Sequence, residues 1–317
     1  MNKPKNPKSL YQVAAYGGGM LLIVFIVLSL LPIRVRATAQ SPQQNTLSPW
    51  VLQWKDEFNA TTRSGVSTKW IYDTGTQYPW PNCPSNWGTG EEETATQSLS
   101  NVYQNGAGKL VIKAVRRPDG KWYSGRIETK RLNFQAPAGG AMAVEARIQV
   151  PQFSNNEEAQ GYWPALWMLG APFRANQNCT LWPGVGEIDI MENRSNESIT
   201  HVTLHCDMAP GGECNEFSGV GGVTNMDRGP FHVYRVELDK SVSPQEIRWY
   251  LDGQKFFTIT SSQFSAEVWD AATHHGFFIL LDMAMGGGFP GGSTPGTRSG
   301  GRMLVDYVRV YYANPTP

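Results

Sequence analysis

Charge is scarce in this chain of 317 residues: Asp, Glu, Lys and Arg make up 17% of it, against roughly 25% in an average soluble domain. Beyond residue 50 no apolar stripe at helical spacing runs longer than two turns, no internal repeat is present, and no C-x-x-C pair occurs. The first absence argues against coiled coils and helical bundles, and the last argues against a zinc site, which the five histidines do not complete. What replaces the missing charge is 33 Gly, 21 Pro and 36 aromatic residues. Gly and Pro interrupt helices while aromatics supply core mass, so the composition also disfavours disorder. An all-β protein with many turns is the reading that fits.

The formal net charge is zero, but residues 1–39 hold five basic residues and no acid: Lys3, Lys5, Lys8, Arg34 and Arg36. The remainder has 22 basic against 27 acidic side chains, a net charge of −5. An acidic body lacks the electrostatic footprint that nucleic acid requires. The basic start, the apolar run Met20–Leu31 and the small residues Ala37-Thr38-Ala39 predict a signal peptide or an N-terminal membrane anchor over 1–39. Both readings place the body outside the cytoplasm, secreted or anchored. Residues 40–50 form a polar linker, and 51–314 make one domain. Four cysteines agree with an oxidising compartment. Cys206 and Cys214 bracket a Gly/Pro-rich loop that a disulfide could pin, which would leave Cys83 and Cys179 as the second pair.

Short runs of strand character recur between turn signals. They include Lys109–Val115, Ala141–Val150, Gly161–Leu169, Gly186–Glu192, Ile199–His205, His232–Leu238, Glu246–Leu251, Gly276–Met285 and Leu304–Tyr312. Asp252-Gly253 supplies the positive φ of a hairpin turn. So many short strands predict a β-sandwich of two antiparallel sheets. Such a sheet, if curved, offers an extended ligand a concave cleft.

Chemistry concentrates in Glu187-Ile-Asp189-Ile-Met-Glu192. Strand alternation puts Glu187 and Asp189 on one face with Ile188 and Ile190 in the core, and would then bury Glu192. An unpaired buried carboxylate is costly, so a β-bulge at Ile190–Met191 is expected, returning Glu192 to the acidic face. Acids along a solvent-facing edge strand would be unremarkable if Lys or Arg stood opposite. Instead the next strand brings His201, Thr203 and His205, with Thr203 and His205 across from Asp189 and Glu187.

This segment, preceded by Trp182-Pro183, with GYWPALWMLG upstream and GFFILLDMAMGGGFPGG downstream, resembles glycoside hydrolase family 16. The likeness is greatest to the laminarinase-type endo-β-1,3-glucanases, runs from about Trp54 to Tyr312, and includes NWGTGE, SGRIET and VDYVRVYY. The resemblance implies a curved β-jelly roll of concanavalin A type. It also implies retaining hydrolysis, with Glu187 as nucleophile, Glu192 as acid/base and Asp189 between them sharing a proton. His205 resembles the family histidine beside the acids. Trp182, Trp87, Asn86, Arg126 and Trp163 match cleft positions, whereas Trp167 reads as core. Asp282 departs from the family's usual Asn, which puts the direction of that hydrogen bond in question.

No cofactor is required for catalysis by this reading. A structural calcium is implied at Glu57, Gly108 and Asp306, whose oxygens are the right ligand type. The partner is β-glucan polysaccharide, met by a monomer. Mixed-linkage β-1,3-1,4-glucanase, transglycosylase and non-catalytic glucan-binding protein are the alternatives. Asn59, Asn178, Asn193 and Asn196 begin N-x-S/T sequons.

Overall fold

The computed structural model describes residues 46–316. The signal or anchor over 1–39 and most of the linker lie outside the described residues. Among those described, no helix is long and apolar enough to cross a membrane.

Two large antiparallel sheets dominate. One has seven strands, in the order Val220–Asn225, Ile199–His205, Glu187–Glu192, Tyr162–Gly170, Phe277–Met285, Arg126–Thr129 and Trp70–Asp73. The other has nine. Its centre is Ala141–Gln149 between His232–Asp239 and Arg302–Ala313, and Val51–Asp56 also pairs with the last of these. Alternation puts Val144, Ala146, Val236, Val308 and Val310 of the nine-stranded sheet against Leu166, Met168, Ile188, Ile279 and Leu281 of the other, all buried in one core. Removing aliphatic side chains of this kind from water is worth roughly 1.5–3 kcal/mol each, so the pattern of alternate residues fixes which faces meet. The nine expected strands all form, within a residue or two at their ends. The turn residues Asp252 and Gly253 both take positive φ, 50° and 79°.

The strands that periodicity did not mark are short or poorly patterned. Trp70–Asp73, Glu93–Ala95 and Trp122–Ser124 have three or four residues each. Val220–Asn225 reads VGGVTN, an edge strand whose glycines hide it. The longest helix among the described residues is Ala266–Thr273, capped by the Ser265 side chain on the Val268 N–H.

A second, smaller apolar cluster covers part of the outer face of the seven-stranded sheet. Leu169, Phe278 and Leu280 on the strands meet Tyr78, Phe173, Cys179 and Val185 from the loops above. The disulfide Cys83–Cys179, spanning 96 residues, ties these loops together. Cys206–Cys214 closes a separate loop of eight-residue separation. Both pairings agree with the sequence reading.

Candidate active site

The acids occupy the outer face of the seven-stranded sheet. Glu187 pairs with Leu169 on one side and His205 on the other, and Asp189 pairs with Trp167 and Thr203. The register then slips: Met191 stands opposite Leu166 and Glu192 opposite Ala165 and His201, leaving Ile190 as the extra residue. This is the expected bulge. Ile188, Ile190 and Met191 all sit in the core, while Glu192 turns to the acidic face and its Oε1 accepts the Trp163 indole N–H at 2.9 Å. Trp249 of the opposing sheet donates to the Asp189 carbonyl at 2.8 Å, tying the acidic strand across the sandwich just before the bulge.

Burial dominates the electrostatics. It pushes Glu187 up to about 7; the Glu192 charge adds to this, while the His205 charge opposes it. Glu192 is likewise pushed up to about 7 by burial, against the Trp163 hydrogen bond and the His205 charge. Asp189 is raised well above the carboxylate range by burial and then by the charges of Glu192, Glu187 and Glu216. Acids this close and this dry hold protons in common.

His205 supplies the compensating positive charge. Its Nδ1 lies 2.7 Å from Glu216 Oε2, and its Nε2 lies 3.5 Å from Asp189 Oδ2. Burial pulls its pKa down, but the Glu216 hydrogen bond and the charges of Glu187, Glu216 and Glu192 together raise it above the usual imidazole value. Glu216 escaped the sequence reading. Its only signal was an acid two residues past the Cys206–Cys214 loop.

The aromatic positions divide. Trp182 is half-buried, its ring 5.8 Å from that of His205 and 6.1 Å from that of Phe217, to which it lies within 15° of parallel. Phe217, 68% exposed, was also missed. Trp163 faces Glu192 through its N–H and packs against Phe289. Asn86 is exposed, and its carbonyl gathers the N–H groups of Thr89, Gly90 and Glu91.

One expectation needs correction. Trp167 is not core: it shares the outer face, where its N–H donates to Asp282 Oδ1 at 2.8 Å. Asp282 is therefore an acceptor there, as a carboxylate must be. Arg126 is only 6% exposed, its guanidinium carbon 4.4 Å from the Trp87 ring and 4.8 Å from that of Trp167, with Asp73 3.3 Å from Nε. It backs the aromatic wall beside Trp87, as buried as Asp189 and Glu192, and its charge favours the ionised forms of Glu187 and Asp282. Asn193 is fully buried, with its amide donating to the Glu197 and Ile199 carbonyls, so its sequon is a structural bond and not a glycan site.

The residues implied for calcium do not fit a divalent cation as they are arranged. Asp306 is engaged by Lys109 at 2.7 Å and Arg147 at 2.6 Å, and Glu57 is held by both Nε and Nη2 of Arg309 at 2.9 Å. Cationic side chains already supply the charge a metal would bring.

Comparison with known proteins agrees with this geometry. Residues 141–222 match the model of an XgeA-like, catalytic GH16 domain. A β-glucanase of Rhodothermus marinus is 31% identical, over 83% of this chain and 85% of its own length. The chain belongs to glycoside hydrolase family 16. The crystal structure of an endo-1,3-β-glucanase from Streptomyces sioyaensis is similar at 50% identity and a TM-score of 0.79, covering 84% of this chain and 97% of that one. Glucan endo-1,3-β-glucosidase A1 of Niallia circulans is 32% identical over 86% of this chain, which spans only 39% of that relative's length. The family 16 chain is thus a jelly-roll sandwich.

Proposed function

We propose that this family 16 chain cleaves β-1,3-glucan internally, with retention, through a covalent glycosyl-enzyme. The observation that carries the reading is the bulged strand, which sets Glu187, Asp189 and Glu192 on one face against a paired histidine. Glu187 as carboxylate attacks the anomeric carbon while Glu192 gives its proton to the departing glycosidic oxygen, whose bond to that carbon breaks. Glu192, now ionised, takes a proton from water, and the resulting hydroxide equivalent displaces Glu187. Asp189, held protonated by its neighbours, stabilises the negative charge that returns to Glu187. Sugar rings present C–H groups on their faces, which suits Trp182 as a platform beside the acids.

The two disulfides support a domain working outside the cytoplasm, where thiols oxidise; secretion or anchoring by residues 1–39 is the corresponding proposal. The test is reducing-end release from laminarin, lichenan and agarose by the full chain beside Glu187→Gln. Release from laminarin, abolished in Glu187→Gln with folding intact, is the expected result. Glu192→Gln should lose about 10²–10⁴-fold on laminarin and far less on an aryl glucoside whose leaving group needs no proton. Preference for lichenan would instead favour a mixed-linkage enzyme, and new longer oligosaccharides a transglycosylase. Binding to laminarin with no turnover of any glucan would point to recognition and refute the hydrolase.

A further inference from the structure

Glu216 lies in the site with no role in the mechanism above. Its side chain has no exposed surface, whereas that of Asp189 retains 7%. One oxygen accepts the Cys206 N–H at 2.9 Å and the other meets His205 Nδ1 at 2.7 Å. A carboxylate buried on one backbone donor is costly, so the imidazole is the partner that justifies its place. The loop is built to keep it there. Cys206–Cys214 closes the ring, and the backbones of Gly211 and Glu216 exchange two hydrogen bonds at 2.6 Å. Gly219, at φ 69°, packs so closely on this histidine that a β-carbon would stand 3.0 Å from its ring atoms.

The groups facing His205 come from three directions. Glu187, Asp189 and Glu192 belong to the neighbouring strand, Trp182 leans toward the ring at 5.8 Å with its plane tilted by 42°, and Glu216 closes the far side. Among the described residues no lysine or arginine forms an ion pair with these four carboxyl groups, though the Arg126 charge also favours ionised Glu187 and Asp282 opposes ionisation of Asp189 and Glu192.

We propose that Glu216 is a positioning residue for the catalytic acids: it fixes His205 through Nδ1 and holds the ring as a cation whose Nε2–H faces Asp189. The inference rests on the assignment of Glu187 and Glu192 made above. With the cation in place, Glu187 ionises more readily and is available as a nucleophile at lower pH. Glu216→Gln keeps the size and an acceptor oxygen but removes the charge. His205 then loses its proton more easily, and Glu187 keeps its own to higher pH.

The experiment follows His205 by imidazole nitrogen NMR across pH in the full chain, with His205→Gln to assign the resonance. The kcat/KM–pH profile on laminarin is recorded in parallel. Glu216→Gln should lower the His205 titration by about one pH unit or more and move the acidic limb of kcat/KM upward by about one unit, a tenfold change in the ionised fraction below the limb. His205→Gln, which leaves Glu216 in place, should move that limb the same way, and the double variant should move it no further. A uniform loss of rate with both limbs and the titration unmoved would make Glu216 a structural residue only. If Glu216→Gln does not fold, an unshifted limb in His205→Gln overturns the proposal. Inactive wild-type protein whose His205 titration still falls on Glu216→Gln would sink the glucanase reading and leave the pair standing. A titration unmoved by Glu216→Gln overturns the pair whatever the activity.

Discussion

At the scale of single residues, the site gives up stability for chemistry. Burial raises Glu187 from an ordinary 4.5 to about 7, so between those values the folded chain binds a proton that the unfolded chain has released. Stability attributable to this group is therefore undiminished below about pH 4.5, falls as pH rises through the window, and is fully lost above about 7. Glu187→Gln removes the penalty. Its melting temperature should exceed the wild type's at pH 8 by several degrees, since the shift corresponds to roughly 3 kcal/mol and each kcal/mol moves a domain of this size by about 2–4 °C, and the gap should close at pH 4. Thermal scans at the two values check this; a gap independent of pH would mean that Glu187 carries no such burden.

Elements, rather than residues, shape the cleft. The segment just past the Cys206–Cys214 loop delivers two adjacent side chains to different tasks, Glu216 inward to His205 and Phe217 outward beside Trp182. Nearly parallel aromatic rings at the edge of the acids suit successive sugar units of one chain. Phe217→Ala should therefore raise KM for laminarin several-fold and leave kcat near wild type, whereas a proportional fall in kcat would place Phe217 at the reacting sugar. The loops tied by Cys83–Cys179 matter differently, because Trp87 and Trp182 both pack against the small cluster they cover. Replacing both cysteines by serine frees a span of 96 residues and should cost about 2–4 kcal/mol in denaturant unfolding. A weaker grip on laminarin should accompany it. Full stability in the double variant would show that the aromatic cluster holds these loops unaided.

For the molecule as a whole, one hydrophobic core binds the two sheets. Lys109 and Arg147 on Asp306, and Arg309 on Glu57, occupy the carboxylates that a calcium would need. Adding millimolar calcium or EDTA should leave the melting temperature unchanged. A drop on chelation would mean that these ion pairs yield to a metal. Such exposed pairs contribute little individually, so the hydrophobic interior, rich in alternating aliphatic residues, carries the stability.

Much of this was legible in the sequence, for reasons that are local. Alternation over Ala141–Gln149 and Ile199–His205 determined strands and faces, because a period of two admits one buried side. The cost of a buried acid foretold the bulge before Glu192, and cysteine spacing foretold Cys206–Cys214, leaving Cys83–Cys179 as the other pair. What the sequence by itself left open was everything set by distant partners. The packing of Arg126 against Trp87 and Trp167 is such a case. Trp167 reads as core until Asp282 takes its N–H. Glu216 is an ordinary loop acid until the chain folds back onto His205. Periodicity reports which face a side chain takes, but charge, burial and proton affinity depend on what stands opposite, and only the tertiary structure decides that.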